Sequence, residues 1–218
     1  NVRFEDLPGA QLGEARVTAI GPDGLPTAGT IVLDKDAAGV GWFVDDSPLD
    51  HSEFGTTLDV GAFQATGDSA AVGKYDLLTV LLHEAGHLLG FDMALPSFAG
   101  NVGTVNGSHL FVGPGFMAPL SADGEHIDST AYPNDLMNAL LSPSIRKLPS
   151  ALDVQILSVV RQVAADAARF RKRAQQAAMI AAAGENIVVL GVTPMRAETG
   201  YGYIETGEQM APGVLRVR

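Results

Sequence analysis

The chain has 218 residues, of which 46% are hydrophobic and 18% are charged. This length suits one ordinary domain, or one domain and a piece of another, and the composition excludes an intrinsically disordered chain. There is no cysteine and no apolar run of about 18 residues, which excludes disulfides, thiolate metal sites and membrane-spanning helices. The net charge of −11 argues against nucleic acid as the main partner.

The charge is unevenly distributed along the chain. Residues 1–160 carry 6 Lys and Arg against 20 Asp and Glu, whereas residues 161–218 carry 8 against 5. Such a change of sign can mark a domain boundary, although an Arg-rich helix face on an acidic protein explains it equally well. We predict a domain in residues 1–160 and an extension in residues 161–218.

Short strands are predicted where apolar residues lie between turn-forming residues. In the N-terminal part these strands are Ala15–Ile20, Thr30–Leu33 and Gly41–Val44. Lys74–Leu89 is predicted to be a helix, and because it is apolar on nearly every side we expect it to be buried. Gly90 follows where the end of a helix favours a left-handed residue.

The second half of the chain begins with an irregular region. Residues 91–149 are rich in Gly, Pro, Ser and Asn and are predicted to contain no clear helix. A second helix is predicted to begin at Ser150, which forms a capping-box-like start with Asp153, and to continue to Gly184. Further strands are predicted at Asn186–Val192 and at Val214–Arg218.

The first predicted helix contains the sequence His83-Glu84-Ala85-Gly86-His87. Two histidines four residues apart lie one turn apart on the same helix face, so both imidazoles can reach one ion. Glu84 lies beside the first histidine, where its carboxylate can act as general base on a metal-bound water. Three ionisable side chains on a buried helix are costly unless they are paired or bind a metal. The alternative is a chance match with satisfied core histidines.

The stretch from His83 to Gly90 resembles the metzincin signature HExxHxxGxxH. It departs from that signature at Met93, which occupies the position of the third histidine and is a poor zinc ligand, while Asp92 lies one residue early. Catalytic zinc sites usually have three protein ligands. The third ligand is therefore expected elsewhere in the chain.

His126 is the predicted third ligand, and His51 and His109 are expected to be ordinary polar residues. The segment around Met137 follows His126 and resembles the metzincin Met-turn, a tight turn whose methionine packs beneath the three imidazoles. Leishmanolysin-like metzincins carry an insertion between the glycine and the third histidine, and Phe91–Glu125 resembles that insertion. The alternatives are a surface-loop histidine and an ordinary core methionine.

The metzincin resemblance covers about residues 30–160 and implies an α+β fold. This fold has a twisted sheet, the active-site helix beneath a cleft, and an irregular subdomain that carries the Met-turn. The resemblance further implies a zinc-dependent endopeptidase that acts on protein or peptide substrates, with zinc held by the three histidines and Glu84 as catalytic base. The absence of cysteine fits a bacterial exported protein and a cytosolic one equally well. We expect a secreted or cell-surface bacterial protein, although residues 1–12 lack the apolar region of a signal peptide.

Two further features have weaker functional interpretations. Some metzincins have a tyrosine just after the Met-turn methionine; it is missing here, and Tyr132 is the nearby tyrosine. An acidic cluster could bind Ca²⁺ or form a solvated face, and it contains no EF-hand pattern. Its members are Asp34, Asp36, Asp45, Asp46 and Asp50.

The C-terminal 49 or so residues resemble a different family. Glu198-Thr-Gly-Tyr-Gly-Tyr-Ile-Glu205 is similar to a segment of mannose-1-phosphate guanylyltransferases, in which it lines the sugar site. The resemblance implies a βαβ-like fragment of a doubly wound fold, but the glycine-rich nucleotide loop of that family is missing. Two alternatives to the peptidase therefore stay open: a fragment of a guanylyltransferase, and an inactive metal-binding module if His126 does not reach the ion.

Overall fold

The computed structural model describes residues 1–48, 50–163, 165, 172, 206–211 and 214–217. By its internal contacts the chain divides into two units, Asn1–Ala168 and Arg169–Arg218. The described residues form many short strands and few helices, so the predicted α+β class is confirmed. None of the described helices has the length and apolar character that crossing a membrane requires.

The N-terminal sheet has three strands, β1 (Val2–Glu5), β2 (Gly13–Ile20) and β3 (Pro26–Asp34). Their order is β1-β3-β2, with β1 parallel and β2 antiparallel to β3. Both strands predicted in this region are confirmed, and both are longer than predicted. The sequence analysis did not predict β1, although its four residues alternate between apolar and charged.

Four shorter strands precede the first helix. They are β4 (Trp42–Phe43), β5 (Thr56–Asp59), β6 (Ala62–Gln64) and β7 (Tyr75–Asp76). The predicted strand at residues 41–44 is thus confirmed at its centre, where β4 pairs in parallel with β7.

Helix α1 (Leu77–Leu89) packs on the N-terminal sheet, where Val80 contacts Ile31 and Leu33 of β3. The predicted start at residue 74 was wrong, because residues 75–76 belong to β7. The Asp76 carboxylate caps the helix by accepting a hydrogen bond from the backbone N–H of Thr79. The predicted end was correct. The helix is less buried than expected, because only Thr79, Val80, Glu84 and Gly86 are buried while most of its other residues are half-buried.

A buried arginine fixes the position at which α1 begins. Two nitrogens of the Arg146 guanidinium donate to the two oxygens of Asp76, at 3.0 and 2.9 Å. A third nitrogen lies 2.7 Å from Asp45, and the guanidinium carbon lies 4.3 Å from the centre of the Phe54 ring. The residue that caps α1 is therefore held by a charge-assisted network that water does not reach.

The region after α1 contains one short helix and four strands. They are α2 (Pro96–Ala99), β8 (Val102–Val105), β9 (Ser108–Gly113), β10 (Phe116–Pro119) and β11 (Ile145–Lys147). Strands β8, β9 and β10 form an antiparallel meander, and β11 pairs with β6. The predicted absence of a helix holds except for the single turn of α2, which Pro96 begins.

Helix α3 covers residues 151–163 among those described. Its capping box is confirmed, because the Asp153 N–H donates to Ser150 Oγ at 3.0 Å and the Ser150 N–H donates to Asp153 Oδ2 at 2.7 Å. Ile156 and Val160 of α3 enter a core that also contains three buried phenylalanines. These are Phe91, Phe98 and Phe111. The core therefore joins α3 to the irregular region.

In the second unit the described residues form an antiparallel hairpin of β12 (Thr206–Ala211) and β13 (Val214–Val217). The strand predicted near the C-terminus is confirmed by β13, whereas β12 was not predicted. The predicted strand at residues 186–192, most of the predicted helix beyond residue 163, and the segment 198–205 lie outside the described residues.

Candidate metal centre

Two histidines of α1 face one point. Because they are four positions apart in the sequence, His83 and His87 lie one turn apart on the same helix face, and their Nε2 atoms are 3.2 Å apart. Two nitrogen ligands at 2.0–2.1 Å from a tetrahedral zinc ion lie about 3.3–3.4 Å from each other. The helix thus sets a spacing that suits shared coordination.

His126 completes the cluster. Its ring centre lies 5.2 Å from that of His83 and 4.9 Å from that of His87. One nitrogen from each of the three imidazoles lies within 4.8 Å of the other two. The structure therefore brings the three predicted ligands together in a group that can hold a metal ion.

The outer nitrogen of each imidazole has a hydrogen-bond acceptor. The Nδ1–H of His83 donates to the Leu136 carbonyl at 2.9 Å, and that of His87 donates to the Phe91 carbonyl at 2.5 Å. The Nδ1–H of His126 donates to Asp123 Oδ2 at 2.8 Å. These acceptors fix the tautomer and the ring orientation, so all three Nε2 lone pairs are free for an ion.

The environment keeps the helical imidazoles neutral, as ligands must be. Burial lowers the pKa of His83 to about 3, and the positive charge that His87 can carry adds to this effect. Burial also lowers the pKa of His87.

Glu84 lies on α1 beside the cluster, with only 6% of its surface exposed. Burial raises the pKa of its carboxyl to about 7, helped by the negative charge of Glu14, while a hydrogen bond from the Ala15 N–H opposes the rise. The carboxyl rests on β2 at Gly13, where a Cβ atom would lie 2.7 Å from Glu84 Oε1. A larger residue at position 13 would displace the carboxyl.

Met137 lies in a turn directly behind the helix and is 1% exposed. Its sulfur packs against Gly86, where a Cβ atom would overlap it. The Met137 N–H donates to Asp135 Oδ1 at 2.9 Å, and its carbonyl accepts from the Ile127 N–H at 2.9 Å. Met137 therefore links the helix that carries two ligands to the residue that follows the third.

The cluster opens into a cleft of about 650 Å³. Residues 10–15 form one wall of the cleft, and residues 138–141 contribute to another. Tyr132 does not line it, and its backbone carbonyl accepts a hydrogen bond from Asn138.

Sequence analysis did not identify the roles of Gly13, Gly86 or Asp123, or the cleft-lining Tyr75 and Lys147. For Asp123 a signal was present, since an Asx turn directly before a histidine places a carboxylate next to the ring.

The other two histidines and the acidic cluster were also considered as polar sites, and they lie outside the group of three histidines. His51 stacks on Phe63 with ring centres 4.3 Å apart, and His109 lies beside Thr104. Among the described residues, only the three histidines form a group that could hold an ion.

In the acidic cluster, Asp34 accepts backbone hydrogen bonds from Leu7, Asp36 and Ala38. Asp45 pairs with a guanidinium, so the calcium expectation has no support in the described part of the chain.

Comparisons with protein-family models, curated proteins and solved structures found no match to this chain. The resemblances to metzincins and to guanylyltransferases therefore stay predictions.

Proposed function

We propose that this protein is a zinc-dependent endopeptidase whose catalytic centre is the cleft at the three histidines. The observation that carries the proposal is the convergence of His83 and His87 of α1 with His126, in a cleft that Glu84, the neighbour of His83 in sequence, also lines. All four side chains line the same open cleft.

The donor set favours zinc. Three neutral imidazole nitrogens suit zinc and other late first-row metals, whereas calcium and magnesium prefer oxygen ligands. Three protein ligands leave a coordination position free, as in catalytic rather than structural zinc sites. When bound, zinc supplies Lewis acidity and lowers the pKa of a water molecule to about 7.

Glu84 is the proposed general base. Its carboxyl is held between α1 and β2 at Gly13, and it faces the cleft beside the ligands. In this position it can take a proton from the attacking water and return it to the leaving amine. Burial limits the motion of the carboxyl, which keeps it oriented for both transfers.

An extended peptide suits the shape of the cleft. Strand β2 lies at the edge of the described three-stranded sheet, and residues 13–15 of β2 form part of the cleft wall. An edge strand can pair with an extended peptide through backbone hydrogen bonds. Such pairing would carry the peptide past Glu84 and the histidines.

The test compares the zinc-loaded chain with its Glu84→Gln variant on casein and on a mixed peptide library. We expect the variant to bind one zinc per chain and to lose about 10²–10⁴-fold of the peptidase rate, because an amide cannot accept the proton. Glu5→Gln, which removes a partly exposed carboxylate on β1, is the matched control and should retain the wild-type rate.

Two results would count against the proposal. Full activity in zinc-loaded Glu84→Gln protein would show that another group is the base. A wild-type chain that binds zinc and cleaves no peptide would instead be the inactive metal-binding module. A nucleotidyl-transfer assay on the same preparation tests the alternative that the C-terminal resemblance implies.

A further inference from the structure

Lys147 is a buried cation in the wall of the catalytic cleft. It ends strand β11, lines the cleft, and is 4% exposed. A buried ammonium is costly unless an opposite charge or a full set of hydrogen bonds compensates it. The groups that surround Lys147 therefore show whether its charge serves only to stabilise the fold.

The partners of Lys147 within the protein are neutral. Its Nζ donates to Asn138 Oδ1 at 3.0 Å and to the Leu140 carbonyl at 2.7 Å. An ammonium has three donors, and in the part of the chain that the structure describes no carboxylate oxygen lies within 4.0 Å of this one. Asp135 acts on Lys147 only from a longer distance, and its own oxygens accept from Met137 and Ser150.

Lys147 lies close to the proposed reaction centre. Its backbone N–H donates to Thr79 Oγ1 at 2.9 Å, and Thr79 lies one helical turn before His83 on the same face of α1. Lys147, Thr79 and His83 all line the same cleft. A substrate bound in that cleft at the histidines therefore lies beside Lys147 as well.

The surrounding wall strengthens an interaction with an anion. Two apolar side chains that also line the cleft are Leu136, which is buried, and Leu141, which is half-buried. A charge pair in partly apolar surroundings is stronger than one on an exposed surface. Burial lowers the pKa of Lys147 to about 8, which still leaves the amine mostly charged at pH 7.

We propose that Lys147 binds a carboxylate of the substrate next to the scissile bond and so selects peptides with Asp or Glu at one position. This inference rests on the proposed peptidase function and adds a substrate class to it. A free C-terminal carboxylate has the same chemistry as an acidic side chain, and the experiment separates the two sources.

The experiment uses the zinc-loaded full chain and a set of peptides capped at both ends. Each peptide carries Glu, Gln, Leu or Lys at one of six positions around a single cleavable bond, and kcat/KM is measured for each. A charge-assisted hydrogen bond in a buried site is expected to favour Glu over Gln by roughly tenfold or more at one position. Matched peptides with a free or an amidated C-terminus show whether a terminal carboxylate is bound instead.

The variant that isolates the charge is Lys147→Gln, whose amide can still donate to Asn138 and Leu140. We expect its Glu-to-Gln ratio of kcat/KM to fall to about 1, whereas loss of a purely structural contact would lower both rates and leave the ratio unchanged. Lys147→Met is the second variant. Lys35→Met removes an exposed lysine that pairs with Asp6 and is the control.

The outcomes separate the two proposals. Cleavage without any preference for a carboxylate would overturn this inference and leave the peptidase proposal standing. A preference that survives both Lys147 variants would also overturn it. If the variants do not fold, competition between the Glu and Gln peptides for zinc-loaded Glu84→Gln protein decides, and equal affinity would overturn it. If no peptide is cleaved, the peptidase proposal fails and this inference fails with it.

Discussion

Helix α1 and the irregular region that follows it supply the histidines of the candidate metal centre in different ways. On α1, His83 and His87 are spaced by the helical repeat, and their outer nitrogens donate to backbone carbonyls. His126 lies in a turn, and its outer nitrogen donates to the side chain of Asp123. Two ligands therefore depend on backbone geometry, and the third depends on one carboxylate and on how the irregular region packs.

The packing of that region explains how a distant histidine reaches the helix. The Met93 N–H donates to Glu125 Oε1 at 3.1 Å, so the two ends of the intervening segment meet. Met93 occupies the position at which an uninterrupted motif would carry its third histidine, and residue 126 directly follows the point of contact. The comparison shows that a helix can preset two ligands, while the third needs a closed loop and a core to hold it.

The largest expected effect is on the free energy of unfolding, and it comes from the contact between Met137 and Gly86 that joins the two regions. Met137→Ala should reduce the free energy of unfolding by about 2–5 kcal/mol, because it leaves a cavity behind α1. In the wild-type background Gly86→Ala should also destabilise, by about 1–3 kcal/mol, since its methyl group overlaps Met137. In the Met137→Ala background the same change should stabilise, because the methyl group fills space and alanine favours a helix.

Urea unfolding of the four proteins measures this double-mutant cycle. Met117→Ala, which truncates a methionine that is 65% exposed, is the control and should change stability by less than about 0.5 kcal/mol. Equal effects of Gly86→Ala in both backgrounds would show that the turn and the helix are not coupled at this point.

A smaller effect is expected at the carboxylate that orients the third ligand. Asp123→Asn should weaken zinc binding by about 10–100-fold, because an amide oxygen is a weaker acceptor for the His126 ring than a carboxylate. Competition with a chelator of known affinity measures the change. Asp128→Asn is the control, since this aspartate accepts only the backbone N–H groups of its own turn. Unchanged zinc affinity in Asp123→Asn would mean that His126 is positioned by packing alone.

The effect that is smallest over any single pH unit is a dependence of stability on pH at Asp153, in the capping box of α3. Burial, together with the negative charge of the neighbouring Asp135, raises the pKa of Asp153 to about 7. The folded state thus keeps a proton that the unfolded state releases near pH 4. This contribution to stability is complete below about pH 4 and is lost as the pH rises to about 7, by about 1 kcal/mol per pH unit.

Measurements on metal-free protein separate the titration of Asp153 from the pH dependence of zinc binding. Unfolding free energies of the wild type and Asp153→Asn, measured from pH 4 to pH 8 with a chelator, should differ in slope across this window, with the variant flatter. Asp68→Asn, an exposed position, should follow the wild-type slope. Parallel curves for the wild type and Asp153→Asn would show that the carboxyl pair does not hold the extra proton.

Local sequence predicted most of α1 and the convergence of its two histidines. A run of apolar residues with a glycine at its end predicts a helix and its C-terminus, and the 3.6-residue repeat places two histidines together whatever the rest of the chain does. The start of the helix was wrong by three residues, because Asp76 is held by Arg146, which lies far along the chain. The capping box of α3 was predicted correctly because its two hydrogen bonds join residues only three apart.

The sequence by itself therefore determined the elements and contacts that depend on near neighbours: the central strands, both longer helices and the pair of helical ligands. His126 and Met137 could be proposed from a resemblance, but only the tertiary structure placed them near α1. Other features join segments that are far apart in sequence. They are the hydrogen bond of the His83 imidazole, the packing of Glu84 against Gly13 and the burial of Lys147. Such contacts depend on how the core closes, and no local periodicity encodes them.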